Sequence, residues 1–397
     1  MTLAPHPKSS LAIYNVRVVL PDGIIENGAV RIADGTIEHI TDGAIGQART
    51  SINGKKGWLL PGLVDLHGDA LESAIAPRPA APFRVDQVMP SYDATLAVNG
   101  ITTMYHCVAV AELGELTKPL RYRDKVKDIV EAIHRFRPTA QVRTHIHLRY
   151  EILDTESIEL VRELVRTRKI DLLSLMDHTP GFGVFPDIEA YRKYIRRSGG
   201  NLAAADQTIA KRLKLRESVD QQAIDALIRL CHQCEIPIAS HDDHTDAKID
   251  RAHRLGIEIA EFPVTIEAVQ AARNRGMHTV FGAANLVRGV SHAGNLKASD
   301  MVAQDLVDIV VSDYAPMSLL QGLFKARKIS PRPFHELVHL FTRNPARAVK
   351  SGHSIGEIAA GHRADLILLD QATTVPRVSA AIVDGQPIYL GAGTALN

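Results

Sequence analysis

Eight short apolar runs, each followed by a helical pattern, restrict the fold of this chain more than any other feature. They read as strands at residues 63–66, 101–108, 142–152, 170–177, 236–240, 257–262, 278–282 and 308–312. Between them lie amphipathic helical patterns, such as 125–136, 157–166, 221–231, 265–275 and 298–304. Strands separated by helices must pair in parallel, because only a long crossover returns the chain to the same end of a sheet. Eight such units predict an α/β fold, a (β/α)8 TIM barrel. The stretch from 180 to 230 is too long for one connection and predicts a helical excursion above the barrel.

Both chain ends have a different texture. Residues 11–58 read as short strands at 11–20, 29–32 and 37–40, broken at Pro21-Asp-Gly23, Asp34-Gly35 and Asn53-Gly54. Asp-Gly and Asn-Gly between alternating runs are hairpin signals. Strand-and-turn patterns return at 364–369 and 379–385. The two ends are expected to form one small β-sandwich domain (residues 1–58 and 352–397) around a barrel spanning 59–351. The length of 397 residues suits a barrel of about 250 residues plus these additions.

Composition narrows the class. Hydrophobic residues make up 45%, charged residues 23%, and the formal net charge is +1. That balance gives no reason to expect a nucleic-acid or membrane-surface partner. No stretch approaches the roughly 20 apolar residues of a membrane span, so a cytoplasmic protein is expected. Three cysteines, Cys107, Cys231 and Cys234, fit a reducing compartment. Cys231-His-Gln-Cys234 stands alone in a helical pattern and reads as core.

In a barrel the chemistry sits at the C-terminal ends of the strands. Here those ends carry His67 and Asp69, then Glu151, His178, His241 and Asp313. Each has a bland reading: His178 could cap its strand, His241 could lie in solvent, and Asp313 could cap a helix. Together at one mouth they form the imidazole and carboxylate set of a one- or two-metal hydrolytic centre. Zinc is the first expectation for the divalent ion, with manganese and iron as alternatives. On the third strand, His145, His147, Arg149 and Glu151 share a face that runs about 20 Å. Only the end of that face reaches the mouth. Glu151 is therefore the ligand candidate, with Arg149 beside it, while His145 and His147 belong to the barrel interior. A metal would lower the pKa of a bound water, and Asp313 is placed to take its proton.

The stretch Asn285-Leu-Val-Arg288-Gly-Val-Ser291-His292-Ala-Gly-Asn295 follows the seventh strand, where barrels frequently bind phosphate. Arg288, His292 and Asn295 offer a cation and polar donors, and Arg78 in Ala76-Pro-Arg-Pro79 adds charge from another side. No phosphate loop of the G-x-x-x-x-G-K-[ST] kind is present. From the residues alone, the electrophile could be a carbonyl, an amidine carbon or phosphorus.

Two motifs, Leu60-Pro-Gly-Leu-Val-Asp-Leu-His67 and Ile358-Ala-Ala-Gly-His-Arg-Ala-Asp365, resemble the amidohydrolase superfamily. Within it, further segments resemble the branch that serves phosphonate breakdown in the carbon–phosphorus lyase pathway. They include His67-Gly-Asp69, His147-Leu-Arg149-Tyr-Glu151, Leu175-Met-Asp-His178, Ser240-His-Asp-Asp243, Ser291-His-Ala-Gly-Asn295 and Ser312-Asp-Tyr314. The resemblance implies removal of pyrophosphate from a ribose 5-triphosphate that bears a 1-phosphonate, hence a small phosphorylated sugar as partner. It also implies His67, Asp69, Glu151, His178 and His241 as metal ligands and Asp313 as the catalytic acid/base. A homo-oligomer, dimer or tetramer, is expected from the superfamily. The chain departs from the branch at Tyr92, at Tyr105-His106 and in lacking a tryptophan within 80–85, all near the predicted mouth. The alternative is an amidohydrolase that cleaves a C–N bond, a deacetylase or deaminase. A non-enzymatic scaffold is disfavoured because all six strand-end residues are present.

Overall fold

Seven strands from the two chain ends pair into one sheet. From the N-terminal side come β1 (Ser10–Leu20), β2 (Gly23–Ala33), β3 (Thr36–Asp42) and β4 (Thr50–Pro61). The barrel strands are β5 (Leu63–Gly68), β6 (Ile101–Val110), β7 (Arg143–Glu151), β8 (Leu172–Met176), β9 (Ile238–His241), β10 (Ile259–Glu261), β11 (His278–Gly282) and β12 (Ile309–Val311). The C-terminal side adds β13 (Leu366–Leu369), β14 (Val378–Val383) and β15 (Gln386–Leu390). The computed structural model describes residues 10–46, 48–78, 81–114, 118–185, 187–197, 201–291, 295–371 and 376–397.

The expected small β-sandwich takes the form of a single mixed sheet in the order β15-β14-β13-β4-β1-β2-β3. Strand β4 joins the two chain ends, running parallel to β1 and antiparallel to β13. Asn53-Gly54 does not make the hairpin its sequence suggests. It lies inside β4, where the register with β1 jumps from Tyr14–Asn53 to Val16–Gly57. Asn53 Oδ1 accepts from Asn15 Nδ2 and from the Lys55 amide, so the Asn-Gly pair serves a bulge. A Cβ at Gly54 would meet Val16 Cγ1 at 2.0 Å, which only glycine avoids.

All eight expected barrel strands form, with ends moved by two residues at most. They pair in parallel in chain order from β5 to β12. The barrel closes by a bridge between Gly68 and Asp313, where the Asp313 amide donates to His67 O at 2.9 Å and the Asp69 amide to Asp313 O at 2.7 Å. Alternation sorts the side chains. On β7, Ile146, Leu148 and Tyr150 pack outward into the main apolar core, while His147, Arg149 and Glu151 occupy the other face.

The covering helices follow their apolar spacing. In Arg123–Phe136 the buried positions Val126, Ile129, Val130 and Ile133 recur every three or four residues and leave the charged ones outside. Thr245 and Thr265 cap the helices after β9 and β10, their hydroxyls accepting from the amides of Lys248 and Ala268. The long excursion after β8 is helical, as expected, with Ile188–Arg197, Leu202–Glu217 and Gln221–Gln233. Arg143 at the start of β7 ties barrel to terminal sheet through Asp365 (2.9 Å) and Asp384 (3.1 Å). Among the described residues no helix is long and apolar enough to cross a membrane.

Candidate metal centre and its cleft

Among the described residues, three imidazoles stand around the mouth of the barrel, and each is held from behind by a carboxylate. His67, near the end of β5, donates from Nδ1 to Glu261 Oε1 at 2.8 Å. His241, the last residue of β9, donates from Nδ1 to Glu261 Oε2 at 3.1 Å. His178, just past β8, donates from Nδ1 to Glu151 Oε2 at 2.7 Å. A charged carboxylate only accepts, so each ring carries a proton on Nδ1 and turns Nε2 to the mouth. That is the orientation a metal ligand needs, fixed by its backing carboxylate.

The Nε2 atoms face two groups of oxygen donors. Ligating atoms of His67, Asp69 and Asp313 lie within 4.8 Å of one another, and so do those of His178, His241 and Asp242. Nitrogen and carboxylate oxygen at this spacing suit zinc, manganese or iron. The donor set therefore fits a divalent ion. The backbone that presents it is strained: Asp242, Phe262 and Asp313, each just after a strand, adopt φ of 53°, 51° and 60°. Such conformations cost on the order of 1–3 kcal/mol each and cluster at functional sites. The turn at Phe262 sets its ring edge-on to both His67 and His241, with centroids 4.9 and 5.4 Å apart.

Charge in the centre is balanced by contact. Burial opposes ionisation of Glu261, yet the imidazoles of His67 and His147 hold its carboxyl well below the usual range. Burial likewise opposes the charge on Asp69, but the Arg149 guanidinium overcomes it and holds the carboxyl well below its ordinary value. Glu151 is also lowered, burial being outweighed by the His178 hydrogen bond. Burial pushes the Cys107 thiol up to about 12 and the deeper His147 down to about 3. His147 Nδ1 donates to Leu66 O at 2.8 Å, as befits an interior side chain.

The centre opens into a cleft of about 1320 Å³, its mouth included, between the strand ends and the helical excursion. Lys118, Arg121, Arg149 and Arg212 line it, as do Asn295, Ser291 and Asp313. Arg212, from the excursion, donates to His178 O at 2.6 Å.

The strand-end residues expected from the sequence thus come together. His67, Asp69, His178, His241 and Asp313 all line the cleft, while the Glu151 carboxylate bonds to His178. The outer set divides. Arg149 and Asn295 line the cleft; Arg78 and Arg288 are exposed and lie off its described lining. Residues 283–288 are helical rather than loop, which turns Arg288 aside to the Tyr314 hydroxyl at 2.9 Å. His292 lies outside the described residues. Tyr92, Tyr105 and His106, expected near the mouth, are absent from its described lining. Tyr105 stacks on His145 at 4.5 Å lower in the barrel, while His106 pairs with Tyr92 of helix Val85–Val98 at 5.7 Å.

Sequence reading missed Glu261, which holds two of the three imidazoles, and Asp242. Glu261 ends a strand, as Glu151 does, and that shared position was the available signal.

Comparison with known proteins agrees with this geometry. Residues 202–389 match the family model described as the amidohydrolase family. The chain is 35% identical over 366 residues to the alpha-D-ribose 1-methylphosphonate 5-triphosphate diphosphatase of Escherichia coli (strain K12), covering 90% of this chain and 94% of that protein. Solved structures share the fold at lower identity. A Xaa-Pro dipeptidase with bound methionine has a TM-score of 0.66 at 14% identity, covering 96% of this chain and all (100%) of its own. N-acetylglucosamine-6-phosphate deacetylase from Pasteurella multocida reaches 0.63 at 13% identity, over 95% of this chain and 99% of its own. At the identity and coverage of the Escherichia coli relative, the chain belongs to the amidohydrolase family.

Proposed function

We propose that this amidohydrolase-family hydrolase acts on a phosphoanhydride, removing pyrophosphate from a ribose 5-triphosphate that bears a 1-phosphonate. One observation carries the reading: four cations, Lys118, Arg121, Arg149 and Arg212, line the cleft that holds the imidazole and carboxylate donors. Asp69 pairs with Arg149 and Glu72 with Arg121, which leaves Lys118 and Arg212 facing the cleft, a provision that a neutral amide does not call for. A triphosphate with a phosphonate at the far end of the sugar does. The Escherichia coli relative supports the same substrate class.

His178, His241 and Asp242 would hold a divalent ion, zinc first, and His67 and Asp69 are the donors that a second ion would need; Glu151 and Glu261 act through the histidines they orient. Bound there, such an ion supplies Lewis acidity toward phosphoryl oxygens and lowers the pKa of water. Asp313 takes the proton of the attacking water on a carboxylate oxygen and returns it to the departing oxygen. Cations on the cleft wall stabilise charge on the leaving pyrophosphate and orient the chain of phosphates. Asn295 and Ser291 bind from the side of the seventh strand.

The deciding experiment is phosphorus NMR of metal-loaded protein with ribose 1-methylphosphonate 5-triphosphate. Release of pyrophosphate with the phosphonate signal unchanged is expected. Intact triphosphate after prolonged incubation would overturn the reading and move attention to C–N bonds.

A further inference from the structure

Asp69 and His241 stand on opposite sides of the mouth, after β5 and at the end of β9, and one side chain reaches both. Arg149 Nη1 donates to both Asp69 oxygens, at 2.9 and 2.8 Å. Its Nη2 donates to His241 Nε2 at 3.3 Å. Arg149 is buried, 8% exposed, and a guanidinium keeps its charge in a protein. A permanent positive charge is therefore fixed between the two donor groups, touching one member of each.

That position matters for how many ions the centre can hold. In two-metal hydrolases the ions lie about 3.5–4 Å apart and share the space between their ligands. A guanidinium there repels a second divalent cation, and it cannot shed its proton to make room. The two donor groups also differ in what Arg149 leaves them. The Asp69 carboxylate has both oxygens committed to the guanidinium. The other group keeps the Asp242 carboxylate, the His178 Nε2 and a His241 Nε2 only loosely engaged at 3.3 Å.

We infer that the centre is mononuclear: one divalent ion belongs to His178, His241 and Asp242, and the Arg149 guanidinium stands on Asp69 in place of a second ion. This rests on the reading of the protein as a metal-dependent hydrolase. The guanidinium cannot activate water, so its part is to neutralise Asp69 and present N–H donors to the phosphoryl oxygens of the substrate.

The test counts ions and does not depend on turnover. Full-length protein is loaded with manganese, dialysed, and measured by elemental analysis and by electron paramagnetic resonance. About one ion per chain with the spectrum of an isolated ion is expected, as against a coupled pair in a two-metal site. His178→Ala should lose the ion and Asp69→Asn should keep it. Arg149→Met should admit a second ion, and Arg149→Lys should exclude it. Two ions in the wild type with a coupled spectrum would overturn the inference, as would loss of the ion in Asp69→Asn. Failure of Arg149→Met to take up a second ion would overturn the part given to the guanidinium. Should that variant not fold, Asp69→Asn and His178→Ala still decide the site. A wild-type chain that binds no divalent ion would overturn the hydrolase reading itself, an outcome distinct from binding two.

Discussion

The amide of Asp313 donates to the carbonyl oxygen of His67 at 2.9 Å, so the first and last barrel strands close on each other at the proposed centre. The amide of Asp69 returns a bond to Asp313 O at 2.7 Å. Backbone pairing therefore sets where the Asp313 carboxyl stands, and exchanging it for an amide changes chemistry with little movement. Asp313→Asn is expected to keep its metal and its fold and to lower kcat by a factor of about 10² or more, the worth of a positioned acid/base. Steady-state rates measured beside metal content check this. A variant with wild-type turnover would remove Asp313 from the proton pathway.

Glu261 is the second residue on which the centre turns. Its two oxygens accept from His67 and His241, and Ser174 Oγ donates to it at 2.5 Å. A glutamine has one accepting oxygen, so one imidazole must lose its partner or flip. Glu261→Gln is expected to weaken metal affinity or activity by about 10- to 100-fold, in the range found for partners behind metal-bound histidines. Competition with a coloured chelator measures the affinity directly; unchanged affinity with unchanged rate would mean that the histidines orient themselves.

The barrel was legible because its signals are local. Apolar runs of strand length alternate with helical spacing, and the polar residues that end them, from His67 to Asp313, stand out against Val, Ile and Leu. What joins those ends was not legible. Glu261 lies 194 residues from His67, and only closure of the barrel brings them together. Read in isolation, an acid at the end of the three-residue β10 resembles any surface glutamate. Glu151 was visible as a strand-end acid, but its bond to His178 depends on the neighbouring strand. Arg288 misled because a helix continues through it, and Asn53-Gly54 because pairing with β1 overrode a turn signal. Tyr92 and His106 showed as departures in sequence, yet the pleat turns His106 to the helix side, toward Tyr92.

His106 yields a pH prediction. It is fully buried against Tyr92, and neither ring nitrogen has a hydrogen-bond partner among the described residues. Burial, with His145 and Arg137 adding repulsion, pushes it down to about 3 from 6.5. Between those values the unfolded chain binds a proton that the folded chain does not, so stability falls as pH drops through that window. Above pH 6.5 both states are neutral and this contribution vanishes. His106→Leu should remove the uncompensated polar atoms and raise stability by about 1–3 kcal/mol at pH 7. It should also flatten the decline of melting temperature between pH 6.5 and 4. Parallel melting curves of the two proteins with pH would count against the assignment.

Lys118 tests whether the cleft wall recognises polyanions. It stands at the rim with no ion pair or hydrogen bond among the described residues, while neighbouring Arg121 is held by Glu72 at 2.9 Å. Repulsion from Arg121, followed by partial burial, lowers the Lys118 pKa from its ordinary value, a strain that a bound phosphate would relieve. Since the ammonium is free to meet substrate and lies outside the donor groups, its loss should act on binding. Lys118→Gln is expected to raise KM about tenfold, some 1.4 kcal/mol, with kcat and metal content unchanged. The penalty should shrink as salt rises, because an exposed charge is screened over about 10 Å at 0.1 M ionic strength. Steady-state kinetics at two salt concentrations separate the cases. A fall in kcat alone would place Lys118 at the leaving group, and no change in either constant would remove the rim from triphosphate recognition.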